Sequence, residues 1–181
     1  MKFSAKTIAL KNGAAALLRS PGEADGAALS AFERQRAEET ELMLRYPDEC
    51  LDAGEMCASV RSFLLSETDV MIVCETGGRI VGCCEMVRHK LRKTAHRAEI
   101  SLGNLRTCWG LGIGTALLRE TIALARRQGV ARLELNVFEG NDRAMALYRK
   151  MGFVPAARRP DCVRLQNGAS FGACSMFLTL D

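Results

Sequence analysis

The chain has 181 residues, 48% of them hydrophobic and 25% charged, with a formal net charge of +4. That length supports one folded domain with a proper core, expected to span residues 1–181, and the composition is that of a globular protein. No apolar run of about 18 residues offers a membrane span, no apolar stretch of signal-peptide length follows Met1, and the charge is too mild to imply nucleic acid, so a cytoplasmic protein is expected.

Taken in chain order, residues 6–19 alternate loosely and read as a first strand, with Lys11-Asn12-Gly13 offering a turn. Ser20-Pro21-Gly22-Glu23 signals a helix start, and the helix should run through Phe32 and beyond. Tyr46-Pro47-Asp48-Glu49 breaks the periodicity as a loop, and a second helix is expected over 54–66. Apolar runs at 70–75 and 79–87 flank Thr76-Gly77-Gly78, a hairpin signal. Arg88-His89-Lys90-Leu91-Arg92-Lys93 is a dense basic patch and reads as a solvated loop. Residues 97–105 form the next strand.

Over 113–125, Ile113, Leu117, Leu118, Thr121, Ile122, Leu124 and Ala125 fall on one half of a helical wheel, and Gly129 ends the helix. Residues 131–138 alternate, with Leu133, Leu135 and Val137 on one face and Arg132, Glu134 and Asn136 on the other. Asn141 starts another helix, Gly152 closes it, and two strands follow near 153–165 and 171–180. The order implies an α/β fold with a mixed, mostly antiparallel central sheet flanked by helices. The strand-turn-helix-strand run over 97–138 is its parallel crossover.

Eight cysteines, at 50, 57, 74, 83, 84, 108, 162 and 174, include no Cys-x-x-Cys pair. Several sit in apolar runs, as reduced thiols packed like small hydrophobes do. With two histidines, His89 and His96, no metal site is expected.

The most informative stretch is Cys108-Trp109-Gly110-Leu111-Gly112-Ile113-Gly114, between a strand and a helix. Alternate glycines let backbone N–H groups converge on a ligand, and the helix N-terminus adds a partial positive charge. Together they suit a pyrophosphate. A dinucleotide-binding turn would need glycine where Thr115 stands, and a nucleotide P-loop needs a lysine that this turn lacks. The second block is Asn141-Asp142-Arg143-Ala144-Met145-Ala146-Leu147-Tyr148-Arg149-Lys150-Met151-Gly152-Phe153.

With both blocks in view, the chain resembles the GNAT superfamily, the Gcn5-related N-acetyltransferases. Gly112 and Gly114 take the place of its loop glycines. Asn141, Ala144, Leu147, Tyr148, Gly152 and Phe153 match its second block position for position. The likeness covers residues 70–158 well and the first third only loosely. Trp109 departs from the pattern, because the family carries Arg or Gln there.

The resemblance implies a GNAT-like acyl-CoA N-acyltransferase fold and an enzyme that moves an acetyl group from acetyl-CoA directly to a primary amine. It places pantetheine along the backbone of Asn104, Leu105 and Arg106, where one amide can stabilise the thioester oxygen, an interaction worth about 3 kcal/mol. It places the pyrophosphate on Trp109, Gly110, Leu111, Gly112, Ile113 and Gly114. Asn141 would contact pantetheine, though helix capping explains it equally well. Tyr148 would protonate the departing thiolate.

The base is the open point. Asn136 stands where some members carry a glutamate on this strand, and an amide cannot take a proton. Glu99 lies near the glutamate that histone-type members use, with Glu85 or a water chain in reserve. The implied partners are acetyl-CoA and an amine, with no membrane, no metal and no nucleic acid; a homodimer stays open. Peptide N-termini, lysine side chains, polyamines, aminoglycosides and amino acids all remain candidate acceptors. The other reading is a catalytically weak acyl-CoA sensor on the same fold.

Overall fold

The computed structural model describes residues 2–180. Eight strands form one sheet in the order β1-β2-β3-β4-β5-β6-β8-β7. They are β1 (Lys6–Ala9), β2 (Ala15–Arg19), β3 (Val70–Thr76), β4 (Arg79–Arg88), β5 (Arg97–Asn104), β6 (Arg132–Phe138), β7 (Val154–Arg164) and β8 (Ser170–Thr179). The helices are α1 (Gly26–Glu39), α2 (Ala53–Leu65), α3 (Ile113–Arg127) and α4 (Asp142–Lys150). The sheet is mostly antiparallel, and β5 runs parallel to β6. The chain divides into two compact units, the first running up to Val87 with Ser101–Thr121 added, the second Arg88–Ile100 with everything from Ile122 onward.

In the first unit, the stretch read as a strand over 6–19 is a hairpin of two, reversing at the turn that Lys11-Asn12-Gly13 offered. Gly13 takes a left-handed φ of 84°, Leu10 N–H bonds to Ala14 O at 2.8 Å, and Asn12 Oδ1 accepts from Ala14 N–H. Loose alternation alone did not separate the two arms, whereas the Asn-Gly pair marked where the chain reverses. The second hairpin forms at Gly77-Gly78, both with positive φ, as a twist-matched two-residue turn requires.

Helix α1 begins later than the Ser20–Glu23 signal suggests. A single 3₁₀ turn, Glu23–Asp25, precedes it, held by the Asp25 carboxylate accepting from Gly22 N–H at 2.7 Å. Arg19 then clamps Asp25 and Glu75 together, tying β2 to the helix entry and to β3. Helix α2 opens with a reciprocal cap. Asp52 accepts from Glu55 N–H at 2.8 Å, and Glu55 accepts from Asp52 N–H at 2.9 Å. Gly26 allows α1 and α2 to approach closely, since a Cβ there would stand 2.9 Å from Ala53 O.

The seven apolar-face residues expected on α3 are all buried. In the second unit the β6 alternation also holds: Leu133, Leu135 and Val137 are buried, and Asn136 is exposed. The parallel ladder pairs Arg97 with Arg132, Ala98 with Leu133 and Glu99 with Glu134. β8 runs against β6 over seven registered pairs and against β7 on its other side. β7 ends the sheet order and is almost wholly exposed. Pro155, Pro160, three arginines and a register shift around Asp161, whose φ is 48°, make it a poor template for a further strand.

All eight cysteines are free thiols, and Cys50, Cys74, Cys83 and Cys84 are buried. Burial pushes the Cys74 and Cys84 thiols up to about 12, so neither is a ready nucleophile. Among the described residues, no helix is long and apolar enough to cross a membrane, and no cluster of three metal-ligating side chains is formed.

Candidate active site

The glycine turn lies in the first unit. β5 ends at Asn104, one 3₁₀ turn spans Arg106–Cys108, and α3 starts at Ile113. Gly110 and Gly112 adopt φ of 80° and 93°. Chain neighbours aside, nothing lies within 4 Å of the Cβ position at Gly110, and only the Lys11 stem, at 3.9 Å, approaches that at Gly112. The space beside both glycines is therefore open. Ile113, 1% exposed, anchors the first helical turn in the core. The opening N–H groups of α3 have no acceptor within the helix, so they are available to an anion. The hairpin tip of β1 and β2 braces the turn through Lys11 N–H to Leu111 O at 3.1 Å.

Trp109, which departs from the family pattern, donates its indole Nε1–H to Asn104 O at 3.2 Å. Of the three residues expected along pantetheine, Leu105 donates its amide to Val81 O at 3.0 Å and Arg106 donates its amide to Glu39 Oε2 at 2.6 Å. Neither amide is free in this conformation. Glu39 would have to release Arg106 for that amide to meet a ligand. Asn104 differs: its side-chain oxygen is buried with no hydrogen-bond partner. Gly82 makes room for it, since a Cβ there would lie 2.5 Å from Asn104 Oδ1. A buried acceptor without a donor calls for an N–H group, which an amide-bearing ligand such as pantetheine carries.

The reserve carboxylate Glu85 is also in the first unit. Ser101 Oγ donates to it at 3.2 Å, while Arg36 is paired with Glu33 at 2.7 Å. The Arg36 guanidinium lies over Gly103, where any Cβ would collide with it. Burial, and then the negative charge of Glu33, raise the Glu85 carboxyl above its ordinary value of 4.5. The fold thus holds the Glu85 proton more tightly than the unfolded chain does. Above the ordinary value the fold bears the cost of burying the carboxylate; below that value the cost vanishes. Glu85→Gln is accordingly expected to raise the melting temperature at pH 7, and the gain should fade as pH falls towards 4. A thermal melt series across that range checks it; a gain that grew on acidification would contradict the buried-carboxylate account.

The second unit holds Glu99, Asn136, Asn141 and Tyr148. A cavity of about 330 Å³ is lined by His89, Arg97, Glu99, Arg132, Glu134 and Asn136 together with Arg159 and Ser175. Glu134 is neutralised there: Arg97 Nε donates to it at 2.9 Å, and Arg132 pairs with it at 2.7 Å while stacking over Phe177. The Arg97 guanidinium holds the Glu134 carboxyl below its ordinary value. Glu99 accepts from Asn136 Nδ2 at 3.3 Å.

Asn141 caps α4, accepting from Ala144 N–H at 3.2 Å, so its capping role is realised. At the other end Gly152, at φ of 93°, lets Phe153 N–H return to Tyr148 O at 3.0 Å. Much of the second motif is therefore helix punctuation. Tyr148 is 6% exposed and meets the Phe153 ring edge-on at 5.9 Å. Sequence reasoning missed Arg159, Ser175 and the Asn104–Gly82 and Arg106–Glu39 contacts. The candidate base Glu99 and the alternation of β6, which put Asn136 beside Glu134, pointed towards the cavity.

A mixed sheet with one parallel pair, a bare glycine turn opening the helix between those strands, and a capped motif helix define a GNAT-type acetyltransferase fold. The model of the acetyltransferase (GNAT) family matches residues 31–153, and the chain belongs to that family. Solved structures agree on the fold. A GNAT-family acetyltransferase from Streptococcus pneumoniae superposes with a TM-score of 0.86 at 24% identity, covering 91% of this chain and 99% of that one. An acetyltransferase from Salmonella typhimurium, solved with its cofactor acetyl-CoA, gives 0.81 at 22% identity, over 92% of this chain and 94% of that one. A phosphinothricin acetyltransferase from Sinorhizobium meliloti in complex with acetyl-CoA gives 0.80 at 18% identity, over 91% and 88%. No curated protein sequence matches the chain.

Proposed function

We propose that the chain, read as one acetyltransferase domain over 1–181, transfers an acetyl group from acetyl-CoA directly to a primary amine of a small molecule, peptide or protein. The observation that carries this is the turn at Gly110–Gly112. Its left-handed glycines, open at their Cβ positions, stand at the start of α3, where an anion meets free N–H groups. Gly110, Leu111, Gly112, Ile113 and Gly114 hold the pyrophosphate through the backbone, with Trp109 bracing the turn. Asn104 offers its partnerless side-chain oxygen to a pantetheine amide, and Leu105 and Arg106 shape the strand end. Asn141 orients α4 and with it Tyr148. Eight free thiols suit a reducing compartment, and we place the protein in the cytoplasm.

The chemistry requires a C–N bond to form and the thioester C–S bond to break. Glu99 takes the proton from the amine, and Tyr148 gives one to the thiolate. Glu99 suits the base role because it lines the cavity, is oriented by Asn136 and has no cationic partner among the described residues. Release of free CoA thiol from acetyl-CoA in the presence of an amine panel tests the activity; no release with any amine would remove it. Glu99→Gln keeps an acceptor for Asn136 yet cannot take a proton. We expect its rate to fall by up to about 10² at pH well below the amine's pKa, where the proton must be removed. The deficit should close as the pH nears that pKa. A pH–rate profile superposable on that of the unmodified protein would hand the role to Glu85 or to water.

A further inference from the structure

The cavity of the second unit holds an opposed pair of charges joined by a single amide. Asn136 Nδ2 donates to Glu99 Oε1 at 3.3 Å. On its other end, Asn136 Oδ1 accepts from Arg159 Nη2 and from Ser175 Oγ, each at 2.7 Å. A carboxamide can do this because one end donates and the other accepts. A glutamate at position 136 would repel Glu99 and pair with Arg159, destroying the arrangement. Among the described residues, neither Glu99 nor Arg159 has an ionic partner. Of the remaining charges, Glu134 lies between Arg97 and Arg132 and leaves one positive charge in excess, which also favours a carboxylate in the cavity.

A free carboxylate and a free guanidinium, spaced by one amide, complement a molecule carrying an ammonium and a carboxylate close together. We infer that this cavity is the acceptor pocket and takes a small zwitterion, a free amino acid, with its ammonium on Glu99 and its carboxylate on Arg159. The inference rests on the acetyltransferase reading for its chemistry, but its charge argument stands separately. Arg159 presents a planar fork of which Asn136 uses one nitrogen, so the rest can grip a carboxylate. A polyamine would bring its second cation against three arginines, Arg97, Arg132 and Arg159. A peptide N-terminus has no α-carboxylate to offer Arg159. The volume, about 330 Å³, lies at the small end of ligand pockets, which run from about 300 to 1,000 Å³, and Ala156 adds an apolar wall for a side chain.

The test compares matched acceptors with the full chain: each standard L-amino acid, its carboxamide and the corresponding decarboxylated amine, read by CoA thiol release. A charged hydrogen bond of this kind gives a preference for the acid of about tenfold or more in kcat/KM. Arg159→Gln should erase that preference through KM with kcat little changed. Arg159→Lys should recover part of it, and Arg159→Glu should turn the preference towards diamines. Arg159 is exposed, so melting temperatures should stay level across the set. Equal use of acid and carboxamide, or a preference that survives Arg159→Gln, would overturn the zwitterion pocket and leave acetyl transfer standing. If no acceptor releases thiol, calorimetric titration of the same amino acids decides. Saturable binding lost in Arg159→Gln upholds the pocket while the transferase reading fails, and no binding removes the pocket too.

Discussion

Tyr148→Phe is expected to lower turnover by about 10²–10⁴ while the affinity for acetyl-CoA barely changes, as loss of a general acid does. The substitution removes one oxygen and nothing else from a side chain that is 6% exposed. The edge-on contact with Phe153 survives, because it is made by the ring. So does the helix end, where Phe153 N–H bonds the Tyr148 carbonyl rather than its side chain. Stability should therefore shift by no more than about 1–3 kcal/mol, the range for a lost hydrogen bond that leaves its partner unsatisfied. Steady-state kinetics with calorimetry separate the two quantities. A fall in kcat with constant Kd identifies an acid acting at the leaving sulfur. A rate equal to that of the unmodified protein would make Tyr148 a packing residue, placed by the same motif that places Phe153.

That ambiguity shows what a sequence can and cannot disclose. The apolar face of α3 was legible because helical period maps directly onto burial, and all seven residues assigned to it are buried. The glycine turn was legible because positive φ is a local demand that glycine meets best, and Gly110 and Gly112 meet it. Asn141 was legible as a cap for the same reason: its partner, Ala144, lies three residues away.

The cavity was not legible, because it depends on pairing between distant segments. Asn136 reaches Ser175 only because β6 and β8 register those two residues opposite each other. Arg159 arrives through the β7–β8 pairing, beside a register shift that no local pattern announces. Likewise Glu39 finds the Arg106 amide across 67 residues of chain, and nothing near either residue signals it. Local chemistry thus revealed the glycine turn, and long-range register set the cavity.

Gly112→Val is expected to weaken binding of CoA by about 10³-fold or more while the protein still folds. Two costs combine. A β-branched residue at φ of 93° carries left-handed strain of about 1–3 kcal/mol. Its branches also fill the open space beside the turn and press on the Lys11 stem, which already lies 3.9 Å from the Cβ position. A pyrophosphate denied two of its amide donors loses about 1.5–3 kcal/mol for each, since these are hydrogen bonds to a charged group. The strain alone must be separated from the lost donors, and Gly13→Val provides that control. Gly13 has a φ of 84° with nothing within 4 Å of its Cβ position, so it bears a similar backbone cost away from the turn itself. Both variants should melt earlier by similar amounts, yet only Gly112→Val should lose CoA in a calorimetric titration. If the two bound CoA equally well, the pyrophosphate would sit elsewhere, and the alternate glycines would be there for the turn's own backbone and not for a ligand.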